Sequence, residues 1–221
     1  MTPQLLPTVD VEPAAAARAA VIWLHGLGAD GHDFESIVPE LQLPAELAVR
    51  FVFPHAPNMP VTINNGMVMP AWYDILALSI ERKVDETGLR QSARAVAELI
   101  AREQARGISS NRIVLAGFSQ GGAVAFECGL SYPQPLAGIL ALSSYFATHA
   151  SIQRHPANQQ TPIAIHHGTA DSIVPEGLGR RAADTLTQLG YPVEYKRYAM
   201  GHSVCAAQIV VIAAWLRQRL G

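Results

Sequence analysis

Ser119 lies at the centre of a Gly-x-Ser-x-Gly pattern that directly follows the apolar run 113–116. A strand that turns sharply into a helix leaves almost no space beside the central residue, so Gly117 and Gly121 are the residues that let both flanks close. The apolar run predicts the strand, and residues 122–128 predict the helix. This order predicts a nucleophile elbow that exposes the Ser119 hydroxyl, whereas a lone pattern of this kind also occurs in ordinary strand-to-helix turns.

A serine hydroxyl needs a base to remove its proton and a third group to orient that base. At an elbow of this type both partners follow the serine, on loops after later strands. His202 lies in such a loop, between a predicted strand and the last predicted helix, and we predict that it is the base. The other histidines after Ser119 are expected to be solvated or to serve packing and hydrogen bonding at the edge of the site: His149, His155, His166 and His167.

Asp171 is the predicted orienting acid, because it lies in a short loop that follows the predicted strand 162–166. An ordinary turn or capping aspartate is the alternative interpretation of this residue. Asp184 and Glu194 are weaker candidates, since the first lies within a predicted helix and the second within a predicted strand.

Two backbone amides are expected to bind the oxyanion that forms on a substrate carbonyl. The first belongs to Gln120, directly after the nucleophile. The second is assigned to Leu27, in a glycine-containing loop after the strand 20–24. The Gly-x-Gly spacing of this loop lacks the third glycine of a dinucleotide-binding fingerprint, so we do not expect a dinucleotide.

The composition limits the possible functions. The 221 residues are 49% hydrophobic, which supports one sizeable core, and we expect a single domain over residues 1–221. The formal charge is -2 and no Lys/Arg cluster suits a phosphate backbone, so nucleic acid is not expected as a partner.

Residues 1–10 do not resemble a secretory signal, and no apolar run approaches the ~20 residues that span a bilayer. Cys128 and Cys205, the only cysteines, lie in segments predicted to be buried helix, which fits a reducing compartment. Because neither a secretory signal nor a spanning run is found, we expect a soluble, cytoplasmic protein without membrane insertion.

Strands and helices alternate along the chain. The predicted strands are mostly continuous apolar runs, which indicates burial on both faces of a sheet. The order predicts an α/β fold with a mostly parallel central sheet and helices on both faces. The predicted strands are 20–24, 49–53, 112–116, 136–142, 162–166 and 193–198. The clearest predicted helices are 89–104, 176–189 and 203–220, and the alanine run 14–17 is predicted to be a loop or a hairpin connection.

Five segments are distributed in order over most of the chain: Leu24–Gly28, Met69–Asp74, Gly117–Gly122, His167–Pro175 and Gly201–Val204. Together they resemble the carboxylesterase and acyl-protein thioesterase family of small α/β-hydrolases. The resemblance implies that Ser119, Asp171 and His202 form a catalytic triad and that Leu27 and Gln120 form the oxyanion hole. It also implies hydrolysis of carboxylic esters, with acyl thioesters as a second class of substrate. With a complete set of catalytic side chains predicted, we expect that this hydrolysis needs no cofactor.

In the resembled family, the loop that matches residues 59–80 shapes the acyl site. This stretch is apolar but interrupted by prolines and asparagines, and it is predicted to be an exposed loop that forms a wall or partial lid, with Trp72 contacting substrate. Packing onto the core is the alternative. Residues 143–170 are too few for a separate cap domain, so we expect a shallow, open site without a large cap.

Several functions remain open at this point. The leading hypothesis is a carboxylesterase that acts on a small-molecule ester or acylated substrate through an acyl-enzyme on Ser119. The alternatives are an acyl-protein thioesterase or a lysophospholipase that acts on long-chain acyl groups. A hydrolase fold retained for binding would be expected to lack a triad member, and none is missing here.

A metal site is not expected, because the adjacent His166 and His167 point to opposite faces of a strand. The apolar loop is equally compatible with a homodimer interface.

Overall fold

The computed structural model describes residues 5–77 and 83–221. The last three residues of the predicted 59–80 loop and the first four of the chain lie outside the described residues. The strands are β1 (Thr8–Val11), β2 (Ala19–Leu24), β3 (Val49–Pro54), β4 (Asn58–Val61), β5 (Met67–Pro70), β6 (Ile113–Phe118), β7 (Gly138–Leu142), β8 (Ile163–Gly168) and β9 (Val193–Tyr198). The α-helices are α1 (Ile37–Glu40), α2 (Glu86–Ala105), α3 (Gln120–Ser131), α4 (Glu176–Gln188) and α5 (Ala206–Leu220).

Within the described residues, seven strands form one sheet in the order β1, β3, β2, β6, β7, β8, β9. The edge strand β1 is antiparallel to β3, and all other neighbours are parallel. The mostly parallel sheet predicted from the sequence is therefore confirmed. Because parallel strands end at the same edge of a sheet, the loops that follow β6, β8 and β9 meet there, as the predicted site requires.

The core lies on both faces of this sheet. Alternate residues of β2 point to opposite faces: Ile22 joins one hydrophobic cluster with α2, α3 and α4, and Val21 joins another with α1 and α5. Every residue of β2 is buried, which explains its continuous apolar sequence. No described helix has both the length and the apolar character needed to cross a bilayer.

Two strand regions were missed in the sequence. The first is β1, a four-residue strand flanked by Pro7 and Pro13. The second is a hairpin of β4 and β5, which forms a separate two-stranded sheet within the stretch predicted to be an open loop. Asn65 and Gly66 at its turn have φ of 55° and 75°, the left-handed geometry that hairpin turns require. The Asn-Gly pair between apolar runs is the signal that would have predicted this hairpin.

The last helix begins three residues later than predicted, at Ala206. Cys205 lies just before it in extended conformation and is only half-buried, so its assignment to a buried helix was wrong. Residues 203–205 instead complete the loop that carries His202. Cys128 is buried in α3, as predicted. The alanine run 14–17 lies outside regular structure, between β1 and β2, also as predicted.

Candidate active site

Ser119 lies at the turn between β6 and α3 in a strained backbone conformation. Its φ is 53° and its ψ is -117°, a combination that L-residues adopt only where the surrounding structure enforces it. The Ser119 amide donates to the Leu142 carbonyl at 2.8 Å, and the Ser144 hydroxyl donates to the Ser119 carbonyl at 2.7 Å. These contacts hold the turn from the neighbouring strand β7, so the sequence pattern does form a nucleophile elbow.

The glycines of the elbow are required by close backbone approach. A Cβ at Gly121 would lie 2.5 Å from the Leu24 carbonyl oxygen, and one at Gly117 would overlap the backbone of Gly121. Gly122 is equally constrained, because a Cβ there would lie 2.5 Å from the Ser144 side chain. The role predicted for Gly117 and Gly121 is confirmed.

The two predicted partners of Ser119 are hydrogen-bonded to each other. His202 Nδ1 lies 2.8 Å from Asp171 Oδ2. Asp171 Oδ1 accepts the amides of Ile173 at 2.9 Å and Val174 at 2.8 Å, so the carboxylate is fixed by its own loop. With Nδ1–H donating to Asp171, His202 keeps the lone pair of Nε2 for accepting a proton.

Asp171 is held in its charged form. Burial alone would raise its pKa, but the hydrogen bond from His202 and the amides of Val174 and Ile173 outweigh burial and lower the pKa below its usual value. A carboxylate that stays ionised is what orients a histidine and stabilises the imidazolium that forms during acyl transfer.

Ser119 and His202 line the same cavity, with a volume of about 380 Å³. The Phe118 ring packs against the His202 ring with 4.7 Å between centroids. Across the described residues, no hydrogen bond joins the Ser119 hydroxyl to His202. In unliganded hydrolases this contact is often long and tightens only when substrate binds. A larger groove, about 960 Å³, lies beside α2 and α3 and includes none of the predicted triad.

The rival residues lie elsewhere. His149 is exposed as predicted, whereas His155 is half-buried and its ring accepts the Ala157 amide, so its predicted solvation is only partial. Asp184 and Glu194 are exposed on α4 and β9 and do not line the cavity. His166 is 1% exposed, and its burial, with Lys196 nearby, lowers its pKa to about 4.

His167 supports the Asp171 loop from inside the protein. Its Nε2 lies 2.7 Å from the Val174 carbonyl oxygen and 3.5 Å from Asp171 Oδ2. Gly179 of α4 leaves the space that the ring occupies, since a Cβ there would overlap it. The sequence predicted only hydrogen bonding at the edge of the site for this histidine, and the structure specifies its partner.

The two predicted oxyanion donors border the cavity. Leu27 and Gln120 both line it, and neither backbone amide donates to another described residue. Gln120 begins α3, where the first amides of a helix have no partner within the helix. Gly28, next to Leu27, donates to the Pro70 carbonyl at 2.9 Å, which ties this loop to β5.

Trp72, predicted from the sequence to contact substrate, is buried beside the site and does not form part of the cavity wall. The residue is 2% exposed. Its indole N–H donates to the His25 carbonyl at 2.9 Å, and its amide donates to the Gln120 side chain at 2.8 Å. The Gln120 side chain also donates to the Tyr73 carbonyl at 2.6 Å. We call these contacts among His25, Trp72, Tyr73 and Gln120 the Gln120 clamp.

Within the predicted loop 59–80, some of the described residues form a wall of the cavity and others pack onto the core. Ile63, Asn64 and Ile75 line the cavity, as expected for a wall, whereas Trp72 and Tyr73 belong to the core. The cavity wall is completed by apolar and aromatic side chains from other loops: Phe118, Tyr145 and Ile173.

A serine held on a strained elbow, beside a histidine bonded to a buried aspartate, defines the class of the protein as a serine hydrolase of the α/β-hydrolase fold. The profile of the phospholipase/carboxylesterase family matches residues 8–220, and the chain belongs to that family.

Named relatives and solved structures agree with this assignment. Acyl-protein thioesterase 1 of Neurospora crassa is 40% identical over 97% of this chain and 92% of its own length. A probable carboxylesterase of Oryza sativa subsp. japonica is 34% identical over 98% of this chain and 84% of its own. The structure of Zea mays acyl-protein thioesterase 2 is 29% identical and superimposes with a TM-score of 0.87 over 97% of this chain and 99% of its own. The described residues, 5–77 and 83–221, include no large cap domain.

Proposed function

We propose that this hydrolase is a carboxylesterase that forms an acyl-enzyme on Ser119. The observation that carries the proposal is the shared cavity in which the strained Ser119 lies beside His202, whose Nδ1 is held by Asp171 at 2.8 Å. The strain at Ser119 favours the same conclusion, because a fold retains such a conformation where function depends on it.

The proposed reaction needs only side chains and amides of this chain. His202 Nε2 removes the Ser119 proton while the Ser119 oxygen attacks the ester carbonyl carbon, and the amides of Leu27 and Gln120 hold the oxyanion. The tetrahedral intermediate collapses, and His202 gives the proton to the departing alcohol. Water then attacks the acyl-enzyme with His202 again as base, which releases the acid and restores Ser119.

The cavity favours short acyl chains. Its volume of about 380 Å³ is near the lower end of the range for small-molecule pockets. Ile63 and Ile75 give it an apolar wall suited to an alkyl group. A short-chain carboxylesterase is therefore the first choice.

Thioesterase activity on long-chain acyl groups is the second candidate. Relatives 40% identical are named acyl-protein thioesterases. The β4–β5 hairpin, whose turn region lines the cavity, also exposes Met67 and Val68 by 64% and 65%, an apolar surface on which a longer chain can lie. A lysophospholipase would use the same surface.

The deciding experiment compares p-nitrophenyl esters of increasing acyl length with a palmitoyl thioester. A short-chain optimum with little thioester turnover supports the carboxylesterase, and preference for the thioester supports the second candidate. Ser119→Ala should lower kcat by about 10⁶-fold in either case, judged from a serine protease. The control is Ser36→Ala, an exposed serine before α1. Substantial turnover by Ser119→Ala would contradict the acyl-enzyme mechanism.

A small-molecule ester or acylated substrate is the partner that this proposal requires. The cytoplasmic location, the single-domain organisation, the absence of a cofactor and the homodimer remain predictions from the sequence.

A further inference from the structure

Positive charge is distributed unevenly over the chain. The segments directly after the strand ends at the catalytic edge contain none of the 16 Lys and Arg residues. These segments are 25–48, 55–77, 119–122, 143–153, 169–175 and 199–205. They end before Arg82 and Lys83 in the connection after β3 and before Arg154 in the connection after β7. Arg154 lies over the Tyr191 ring, 6.0 Å from its centroid, and lines the separate groove beside α2 and α3. Between Arg18 and Arg82 the only cation is Arg50, which is 3% exposed and is neutralised by Asp10, Glu12 and Glu103. Lys83, the first described cation after the gap, is exposed, and its carbonyl accepts the amides of Leu76 and Ala77.

Acidic residues are present at this edge, and most of those close to the cavity have partners. Asp74 accepts two hydrogen bonds from Thr62, and Glu35 is bonded to His32 at 2.8 Å. Asp171 is the buried partner of His202.

Asp33 differs from these acids. Its carboxylate makes no hydrogen bond or ion pair with any described residue, and Asp33 lines the cavity that contains Ser119. The residue is exposed, which places it at the mouth of the cavity. Although the residue as a whole is exposed, loss of water around its carboxylate raises the pKa of Asp33. The nearby His25 lowers this pKa, and Asp30 raises it. The surroundings therefore disfavour its negative charge, and a cation brought to the mouth would relieve that cost.

The position of Asp33 suggests which part of a substrate it meets. Ile75, which is buried, and Ile63, which is half-buried, form an apolar part of the cavity wall that is less exposed than Asp33 and suits the acyl chain. The alcohol or thiol portion must then lie toward the open mouth, from which it departs after receiving a proton.

We propose that Asp33 is a specificity-determining residue that favours substrates whose alcohol or thiol portion carries a positive charge. The proposal rests on the proposed function, because it assumes that Ser119 cleaves an ester in this cavity. An ester whose alcohol portion carries a carboxylate or phosphate is disfavoured by the same charge, since no Lys or Arg of the segments named above offsets it.

The test uses three butyrate esters of similar size that differ in the charge of the alcohol: butyrylcholine, 3,3-dimethylbutyl butyrate and the butyrate ester of 3-hydroxypropionate. Hydrolysis is followed by release of acid at constant pH. Wild type should hydrolyse the cationic ester with a kcat/KM about fivefold above that of the neutral one, the size expected for one close charge pair in water, and the anionic ester should be slower than both. The cationic preference should shrink at 0.5 M salt.

Asp33→Asn should abolish the cationic preference while hydrolysis of the neutral ester changes less than about twofold. Glu40→Gln is the matched control, because it removes an equal charge from an exposed position outside the cavity and should leave the preference intact. Equal ratios of cationic to neutral turnover in wild type and Asp33→Asn would overturn the proposal. Retained hydrolysis of the neutral ester by Ser119→Ala would instead overturn the proposed function, so the two failures are distinguishable.

Discussion

The nucleophile elbow at residues 117–122 and the β4–β5 hairpin at residues 58–70 both border the cavity, but they are held in place differently. The elbow is buried against β2 and β7, and three of its glycines have no space for a Cβ. At the hairpin, a Cβ on Gly66 would meet nothing within 4 Å, and Met67 and Val68 are exposed. Substitutions in the elbow should therefore affect folding and chemistry, whereas substitutions in the hairpin should affect mainly the choice of substrate.

The largest effect after loss of the nucleophile is expected at Asp171. Asp171→Asn removes the charge that orients His202 and should lower kcat by about 10⁴-fold, as the equivalent change does in a serine protease. Steady-state kinetics with a short p-nitrophenyl ester measures this loss. Asp184→Asn, on the exposed face of α4, should leave kcat unchanged. A loss below tenfold at Asp171 would mean that His202 is oriented by another group.

Gly121→Ala should destabilise the fold by about 3 kcal/mol, because its methyl group would meet the carbonyl oxygens of Leu24 and His25, which are backbone atoms and yield little. Urea unfolding gives the free energy. Gly66→Ala is the counterpart in the hairpin and should cost only about 1 kcal/mol, since its φ of 75° is strained but its surroundings are open. Equal costs at the two positions would refute the contrast between the regions.

The two regions should also differ in their response to pH. Residues 58–70 contain no ionisable side chain, whereas His166, on the strand before the Asp171 loop, is buried with a pKa of about 4. The unfolded chain binds a proton at His166 near pH 6.5 and the folded chain does not, so stability is lost as the pH falls from 6.5 toward 4. Between pH 7 and 5 the loss from His166 should be about 2 kcal/mol.

Urea unfolding of His166→Gln at the two pH values tests this expectation, because the variant should lose that part of the pH dependence. Burial also lowers the pKa of His25 and His167, which adds loss of the same sign. The lowered pKa of Asp171 reduces stability only in acid, below about pH 4, where the unfolded chain binds a proton at this carboxylate before the folded chain does. A variant whose pH dependence matches that of wild type would show that the pKa of His166 is the same in the folded and the unfolded chain.

Gln120→Met tests whether the clamp couples the two regions. The change keeps the backbone amide of residue 120 but removes the hydrogen bonds of its side chain to Trp72 and Tyr73. It should lower kcat by about tenfold, because the loop that carries Leu27 is then held less firmly. Trp72→Phe removes the bond to the His25 carbonyl alone. If the clamp acts as a unit, the double variant should lose less than the product of the single losses. Fully multiplicative losses would mean that the contacts act independently.

The smallest effect is expected in the hairpin. Met67→Ser combined with Val68→Ser should change stability by less than about 1 kcal/mol and leave short-ester kinetics unchanged, because both side chains are exposed. The KM for long-chain substrates should rise if the hairpin supports the chain. Val210→Ser, a position on α5 that is 69% exposed, is the control and should change neither. An unchanged long-chain KM in the hairpin variant would remove this surface from the acyl site.

Several parts of the fold were predictable because neighbouring residues determine them. Continuous apolar runs identified six strands of the main sheet, and the glycines around Ser119 identified the elbow. The hairpin was missed although Asn65-Gly66 marks its turn, because Pro60 and Pro70 argued against strands. The burial of Trp72 could not be predicted because its environment depends on Gln120, which lies 48 positions away in the chain.

The sequence by itself determined the nucleophile elbow and the order of strands and helices, because these depend on local backbone geometry and on the period of apolar residues. It also determined that the residues directly after these strands include no Lys or Arg. Only the tertiary structure decided that Asp171 bonds to His202, that Trp72 is part of a clamp and that Asp33 lies unpaired at the mouth of the cavity. These arrangements join residues from separate loops, and only the packing of the sheet brings the loops together.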